Sequence, residues 1–419
     1  FKMDELENQI KDLSIKYTLN TDKNYLKKFG QFFTLSSNIL LKLIDTEHLD
    51  NLDILEPSCG TGIIILECMK KFKNFNLDAI EIDKNVYTKT LDLFKQHSNV
   101  KFINSDFLKY NFDGKKYDLI IGNPPYFELA KDIKMSINDD FKDIVSGRTN
   151  IYSLFIYKSI KLLKKNGQLI FIIPKTILSG KYFSKLREYI HKHCYILDII
   201  KFDNSNLFKK ALQSVIILKL QLRDLIDINN INNEKNNYIL KINKELYFVK
   251  DKEELKIDVE TTTISDLNCI VKTGNIVWNQ HKELLSNNKT ANTLRVIMAS
   301  NIKSGKLIIK ENTDVLIEKK QYMTINDLNR HLIISGPYIL INRIVGLNPP
   351  RLNIYFEKSN NNESKCFIEN HVNFIKGPLE NLTRIYNSLN NNFTVKFIKE
   401  LIGNTQLSQN ELENIIPII

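Results

Sequence analysis

Between Leu52 and Ile121 short apolar runs alternate with helical patterns, and that alternation constrains the fold more than any other feature of the chain. The runs fall at Leu52 to Leu55, Leu77 to Ile82, Val100 to Ile103 and Tyr117 to Ile121, with helical spacing at Ile63 to Lys71 and Val86 to Phe94. Parallel strands need long crossovers and helices supply them, so the order predicts an α/β fold: a mostly parallel, doubly wound sheet covered by helices on both faces. An amphipathic helix precedes it, with Leu6, Ile10, Leu13 and Tyr17 on one stripe. After it come a helix from Ile151 to Leu163, ended by the positive, glycine-terminated cap Lys164-Lys165-Asn166-Gly167, and a strand from Gln168 to Ile173. A helix from Gly180 to His191 then leads to Ile196 to Phe202 and Ser214 to Leu220, which read as a closing antiparallel pair.

The 419 residues suffice for two or three domains. An Asn-dominated stretch from Asp227 to Asn237 reads as a flexible connection, and beyond about residue 260 the pattern changes to short strands, turns and isolated helices, a second α+β lobe. The formal charge of +11 favours polyanionic partners, nucleic acid first. Cys59, Cys68, Cys194, Cys269 and Cys366 form an odd set without a C-x-x-C pair, so neither a zinc site nor a disulfide framework is expected. No apolar run approaches the roughly 18 residues of a membrane span, and the amino terminus lacks a secretory plan, so the expected location is the cytoplasm. His191 and His193, two apart at a helix end, do not share a face, and no metal is expected.

The first strand runs into Glu56-Pro57-Ser58-Cys59-Gly60-Thr61-Gly62 and then a helix, the context for a nucleoside at the carboxyl edge of a parallel sheet. Ile63, Ile64 and Ile65 stand where the dinucleotide fingerprint would place its third glycine, which disfavours a pyrophosphate ligand. Glu56 suits a cationic ligand end. Glu81-Ile82-Asp83, about nineteen residues beyond Gly62, puts a carboxylate where both ribose hydroxyls can be accepted. Asp106-Phe107 closes a third strand, offering an acceptor for an exocyclic amine and an aromatic ring for a purine face.

The fourth strand ends in Asn123-Pro124-Pro125-Tyr126. Two prolines fix the backbone and remove two donors, leaving a stiff turn with preset acceptors. An amino group conjugated to a ring or carbonyl is a poor nucleophile. Bonds from its two protons to the Asn123 side-chain oxygen and the Pro124 carbonyl draw the nitrogen toward tetrahedral geometry and free its lone pair for in-line attack on an activated methyl.

On these residues the chain resembles the S-adenosylmethionine-dependent amino-methyltransferases, most closely the gamma-class DNA adenine-N6 methyltransferases of restriction-modification systems. The resemblance implies a class I methyltransferase catalytic domain over 1–250 and a target-recognition domain over 251–419. It implies S-adenosyl-L-methionine as cofactor, S-adenosylhomocysteine as product, and double-stranded DNA as substrate, with a cognate restriction endonuclease as a possible partner. Lys28-Phe29-Gly30-Gln31-Phe32-Phe33-Thr34 is similar to the family's amino-terminal cofactor motif, so Phe29, Gln31 and Thr34 are assigned to the donor, although Leu35 stands where proline is common. Glu56, Pro57, Ser58, Cys59, Gly60 and Gly62 match the glycine motif, Glu81 and Ile82 the ribose strand, and Asp106 and Phe107 the donor-adenine pair. Asn123, Pro124, Pro125 and Tyr126 match the catalytic motif, and Phe208 fits the aromatic expected on the far side of a flipped base. Extruding an adenine loses stacking that Tyr126 and Phe208 offset in part, ~1–3 kcal/mol per base.

In the second lobe Val271 to Lys282 resembles part of related recognition regions; its Trp278 is expected in the core more than on DNA. Arg343 and Arg351 flank a turn, and Asn348-Pro349-Pro350 repeats the catalytic tripeptide without its aromatic, glycine loop or acids, as a stiff turn only. Two other acceptors share the chemistry: the side-chain amide of a protein glutamine and N6 of adenine in RNA.

Overall fold

The computed structural model describes residues 2–22, 51–130, 139–201, 215–224, 237–255, 262–308, 320–343, 352–401 and 406–419. The chain divides into two compact units, Phe1–Leu240 with Leu246–Lys252, and Lys241–Glu245 with Glu253–Ile419. Phe29, Gln31, Thr34, Leu35, Phe208, Arg351 and the turn at Asn348 lie outside the described residues.

The first unit contains α1 (Lys2–Asn20), β1 (Leu52–Glu56), α2 (Ile63–Lys71), β2 (Phe75–Glu81), α3 (Lys84–Phe94), β3 (Val100–Asn104), β4 (Tyr117–Gly122), α4 (Ile151–Leu162), β5 (Leu163–Pro174), α5 (Ser184–His193), β6 (Cys194–Lys201) and β7 (Val215–Leu222). They build a seven-stranded sheet in the order β3-β2-β1-β4-β5-β7-β6. The first five strands in this order pair in parallel; β7 runs antiparallel to both β5 and β6. This is the doubly wound, class I methyltransferase architecture, with the expected antiparallel closing pair.

Side-chain alternation decides which residues face which helical layer. Ile54, Leu119, Ile121, Ile170 and Ile172 pack with Ile63–Leu66 of α2 and with Leu6 and Ile10 of α1. The intervening Leu55, Ile120, Leu169, Phe171 and Ile173 pack on the other face against Tyr152–Tyr157 and Ile160 of α4 and Leu186 and Ile190 of α5. Both faces are therefore apolar, and the strands read as continuous hydrophobic runs.

One boundary differs from the periodicity. Instead of capping at Gly167, α4 ends at Leu162 with Leu163 already extended, and 163–167 join β5 through an irregularity opposite Tyr117 and Leu119. Lys164 Nζ bridges Asp53 Oδ2 and Asp118 Oδ2, each at 2.7 Å, and this long-range pairing lays the segment along the sheet where local signals favour a cap.

The second unit is α+β. One antiparallel sheet runs Ile270–Thr273, Val372–Lys376, Tyr338–Asn342, Ile354–Glu357. A second joins Leu285–Ser286, Tyr322–Thr324, Thr293–Ile297 and Cys366–Ile368, the last pair parallel. Helices Leu379–Leu389, Asn392–Leu401 and Gln409–Asn414 contribute Leu382, Ile385, Leu389, Ile398 and Leu412 to its core. Trp278 is half-buried against the Ile276–Leu285 cluster with Lys282 Nζ 5.6 Å from its ring centroid, and Arg343 Nη1 donates to the Asn370 carbonyl at 2.9 Å. All five cysteines are buried thiols, and among the described residues no helix is long and apolar enough to cross a membrane.

Arg187 of α5 is 0% exposed and fastens the segment after β5. Its Nε donates to the Leu246 carbonyl at 2.5 Å, its Nη1 to those of Ile177 (3.0 Å) and Gly180 (2.8 Å), and the guanidinium lies 5.2 Å from the Tyr247 ring centroid. Arg187→Met keeps the aliphatic stem but strips these carbonyls of a charged donor, and should lower unfolding free energy by about 3 kcal/mol, read from the urea midpoint at constant slope.

Candidate active site

The strand order reverses between β1 and β4: the chain leaves β1 toward β2 on one side, and β4 leads toward β5 on the other. The loops that leave the two strands diverge there and open a crevice at their carboxyl ends. Glu56 ends β1, Glu81 ends β2, Asp106 follows β3 and Asn123 follows β4.

The glycine loop folds tightly because its glycines hold conformations other residues resist. Gly62 has φ +86°, and a Cβ on it would sit 2.5 Å from the Phe94 ring, so the loop packs directly on α3. Gly60 (φ +53°) donates its N–H to Glu81 Oε2 at 2.9 Å, and its carbonyl accepts from Thr90 Oγ1 at 2.9 Å. Cys59 N–H reaches the Ile80 carbonyl at 2.8 Å. Ser58 Oγ donates across the reversal to the Asn123 carbonyl at 3.1 Å, tying the glycine loop to the Asn-Pro-Pro-Tyr turn. Gly122 is so close to Pro57 that an added Cβ would lie 3.3 Å from the proline ring.

Two buried carboxyls dominate the electrostatics. Glu56 is 1% exposed and its Oε2 has no hydrogen-bond partner among the described residues. Burial, aided by Glu81, pushes its pKa well above the usual carboxylate range. Glu81 is 6% exposed, and burial pushes it up to about 7 although N–H groups of Asp83 and Gly60 bond its two oxygens. Burial likewise raises the Cys59 thiol, so it is not a thiolate nucleophile at neutral pH. Ile82, at the tip of β2, is 48% exposed. An orphaned buried carboxylate oxygen, a second acid on the adjacent strand and an open apolar side chain fit a ligand with a cationic end, a ribose and an adenine, as S-adenosylmethionine has.

Beyond β3, Asp106 Oδ1 accepts the Leu108 N–H at 2.9 Å and its Oδ2 is 3.9 Å from Lys109 Nζ. Phe107 does not present the open ring expected for a purine face: it is 2% exposed, 4.8 Å from the Phe155 ring centroid, because α4 packs over the strand tip. Lys158 of α4, which no local pattern singles out, donates to the Leu108 (3.0 Å) and Tyr110 (2.8 Å) carbonyls and lies 5.3 Å from the Phe107 ring centroid, fixing that turn. Asp83, just past Glu81 at the end of β2, serves as a helix cap: it accepts from the N–H groups of Asn85 and Val86 at the head of α3.

In the Asn-Pro-Pro-Tyr turn Pro124 is buried while Asn123, Pro125 and Tyr126 are half-buried. The Tyr126 hydroxyl, with one proton to give, lies within bonding reach of two acceptors, the Asn123 side-chain oxygen and, at 2.7 Å, the Ile172 carbonyl of β5, and its ring meets Tyr152 edge-on at 6.2 Å. Burial raises the Tyr126 phenol, so it acts as a neutral hydrogen-bonding group rather than a base. The turn is thereby braced from β1 through Ser58 and from β5 through Tyr126.

The chain matches the model of the Eco57I restriction-modification methylase family over residues 3–208. It is 30% identical over 415 residues to the modification methylase CviBIII of Paramecium bursaria Chlorella virus NC1A, the match covering 95% of each chain. It is 31% identical over 226 residues to the type II methyltransferase M.AccI of Acinetobacter calcoaceticus, covering 51% of this chain but 41% of that relative's length. Among solved structures, a class I S-adenosylmethionine-dependent methyltransferase of Listeria monocytogenes aligns with a TM-score of 0.44 at 19% identity, over 56% of this chain and 71% of that one.

With Glu81 as the expected ribose acid, its ionised form is the better acceptor for the two hydroxyls, so affinity for an adenosine ligand should be greatest above pH 7 and fall about tenfold by one unit below it. Calorimetric titration with S-adenosylhomocysteine between pH 5.5 and 8.5, about the range that brackets this midpoint, should show that fall, and Glu81→Gln should flatten it. For the fold alone the sign is opposite. A carboxyl kept neutral by burial stabilises the native state at low pH, and that contribution is lost as pH rises from the usual carboxylate range to about 7.

Proposed function

Since the chain belongs to the restriction-modification methylases, we propose that it is a site-specific DNA methyltransferase that transfers a methyl group from S-adenosylmethionine to N6 of an adenine flipped out of double-stranded DNA. The observation that carries this reading is the junction of the Asn-Pro-Pro-Tyr turn with the glycine loop, made by the 3.1 Å bond from Ser58 to the Asn123 carbonyl. A methyl carried by a ligand on the glycine loop and an amino group held by the turn would meet in that crevice.

S-Adenosylmethionine supplies an electrophilic methyl on a sulfonium. Glu56 faces its cationic part, Glu81 takes the ribose hydroxyls, Ile82 packs on the adenine, and Asp106 accepts from the exocyclic amine of that adenine. Phe29, Gln31 and Thr34 complete the donor site. On the acceptor side, Asn123 Oδ1 and the Pro124 carbonyl each take one N6 proton, so the nitrogen lone pair turns toward the methyl. No base of sufficient strength faces the nitrogen in this scheme, and the proton leaves during or after transfer. Before the base arrives, the Tyr126 hydroxyl bonds Asn123 Oδ1 and keeps the amide aimed. Tyr126 and Phe208 sandwich the extruded base, and the unit after residue 253 reads the target sequence, where Asn and Gln suit adenine edges and Lys and Arg suit guanine or phosphate.

Single-molecule sequencing of plasmid grown with the active protein should show N6-methyladenine at one short motif. Label transferred from the donor to a polypeptide amide and never to duplex DNA would overturn the acceptor. Asn123→Ala should reduce transfer at least about a hundredfold while the donor still binds. Phe208→Ala should diminish the fluorescence rise of 2-aminopurine at the target position, and an unaltered signal would remove Phe208 from the base pocket.

A further inference from the structure

The amino-terminal helix α1 sends two hydroxyls into the donor loops from one face. Ser14 and Tyr17 stand three residues apart, hence side by side on the helix, and both are buried. Ser14 Oγ is 2.6 Å from Thr61 Oγ1 in the glycine loop and donates to the Ile10 carbonyl at 2.9 Å. A hydroxyl has one proton; with that of Ser14 on Ile10, the bond between the two side chains is donated by Thr61. The Tyr17 hydroxyl donates to Asp83 Oδ2. Asp83 uses its other oxygen to cap α3, and its own N–H donates to Glu81 Oε1 at 2.9 Å.

Docking of α1 does not require these contacts, because Leu6 and Ile10 already pack into the apolar cluster over the sheet. Buried hydroxyls cost free energy unless satisfied, and both are satisfied by the loops that carry the ligand-facing carboxyl and glycines. We propose that Tyr17 is a positioning residue of the donor site: it orients Asp83 and, through the Asp83 main chain, the Glu81 carboxylate that takes the ribose, while Ser14 holds the glycine loop at Thr61. The proposal rests on the reading of Glu81 as the ribose acid.

The charged and titratable groups around Glu81 give the test its sign. Glu56 faces it from β1, Cys59 from the glycine loop and Asp83 from the head of α3, and Lys89 Nζ lies 5.8 Å from the Tyr17 ring centroid. The Asp83 charge opposes ionisation of Glu81. The Tyr17 hydroxyl draws off part of that charge. Tyr17→Phe leaves Asp83 fully negative, so the pH at which donor affinity is half lost should rise. Asp83→Asn removes the charge but keeps a competent cap, so the same midpoint should fall.

Calorimetry with S-adenosylmethionine on the full chain, across pH, reads both. Tyr17→Phe should raise Kd about threefold to tenfold at pH 7 and raise the donor KM, with kcat at saturating donor and DNA held within about twofold. Midpoints that move in opposite directions support the proposal. A Tyr17→Phe Kd equal to wild type, or two midpoints that stay at the wild-type value, overturns it. If Tyr17→Phe melts early, the titration is run at a temperature where that variant is fully folded: a raised midpoint supports the proposal and an unmoved one ends it. A wild-type chain that gives no heat with the donor would instead fell the reading of Glu81 itself, whereas normal wild-type binding with indifferent variants fells only the role of Tyr17.

Discussion

The reversal of strand order between β1 and β4 is the constraint on which the site depends. Every other strand junction in the parallel part of the sheet is covered by a crossover that continues in the same sense, whereas here the two loops part and leave the strand ends accessible. The 3.1 Å bond from Ser58 to the Asn123 carbonyl and the contact of Pro57 with Gly122 keep the parted loops in register. Rigidity on both sides matters because group transfer between two bound reactants gains most of its rate from fixed separation and alignment. The glycine loop is braced by α3 and by Glu81, and the Asn-Pro-Pro-Tyr turn by its prolines and by the Tyr126 bond to β5.

The same junction carries an electrostatic cost. Glu56 and Glu81 are buried on neighbouring strands, each raises the work of ionising its surroundings, and burial holds both above the usual carboxylate range. At neutral pH they make the fold less stable than apolar residues would. On the proposed reading, a cationic, hydroxyl-bearing ligand would offset that cost by bringing its own charge and donors, so that part of the stability forgone on folding would return as affinity. The backbone N–H groups of Gly60 and Asp83 aim Glu81 without neutralising it, and the hydroxyls of α1 extend the bracing outward.

Much of this was legible in the linear pattern, for identifiable reasons. The strands from Leu52 to Ile121 are announced by apolar runs of strand length, and the helices between them by a 3.6-residue period, because both faces of the sheet are buried and each helix buries one stripe. Phe107 and Lys164 take places that local pattern does not announce, for the opposite reason. An aromatic after a strand looks the same whether it faces a crevice or, as here, the Phe155 side chain of α4. The Lys164-Lys165-Asn166-Gly167 segment carries every local mark of a helix cap, and only Asp53 and Asp118, over a hundred and some forty positions away in the chain, pull it into the sheet. The polar helpers Tyr17 and Lys158 are silent for the same reason: their partners, Asp83 and the Leu108 and Tyr110 carbonyls, are distant in sequence.

The sequence by itself determined the order of strands, loops and helices and the residues at the tips of the first four strands, because periodicity and turn chemistry are local properties of the chain. Only the tertiary structure decided the spatial order of those strands, which brings Ser58 to Asn123, and the depth at which Glu56 and Glu81 are buried, which sets how strongly they resist ionisation. Strand order follows from the competition of whole apolar faces for cover, and a pKa from the dielectric that the finished packing creates; neither quantity exists until distant segments have met.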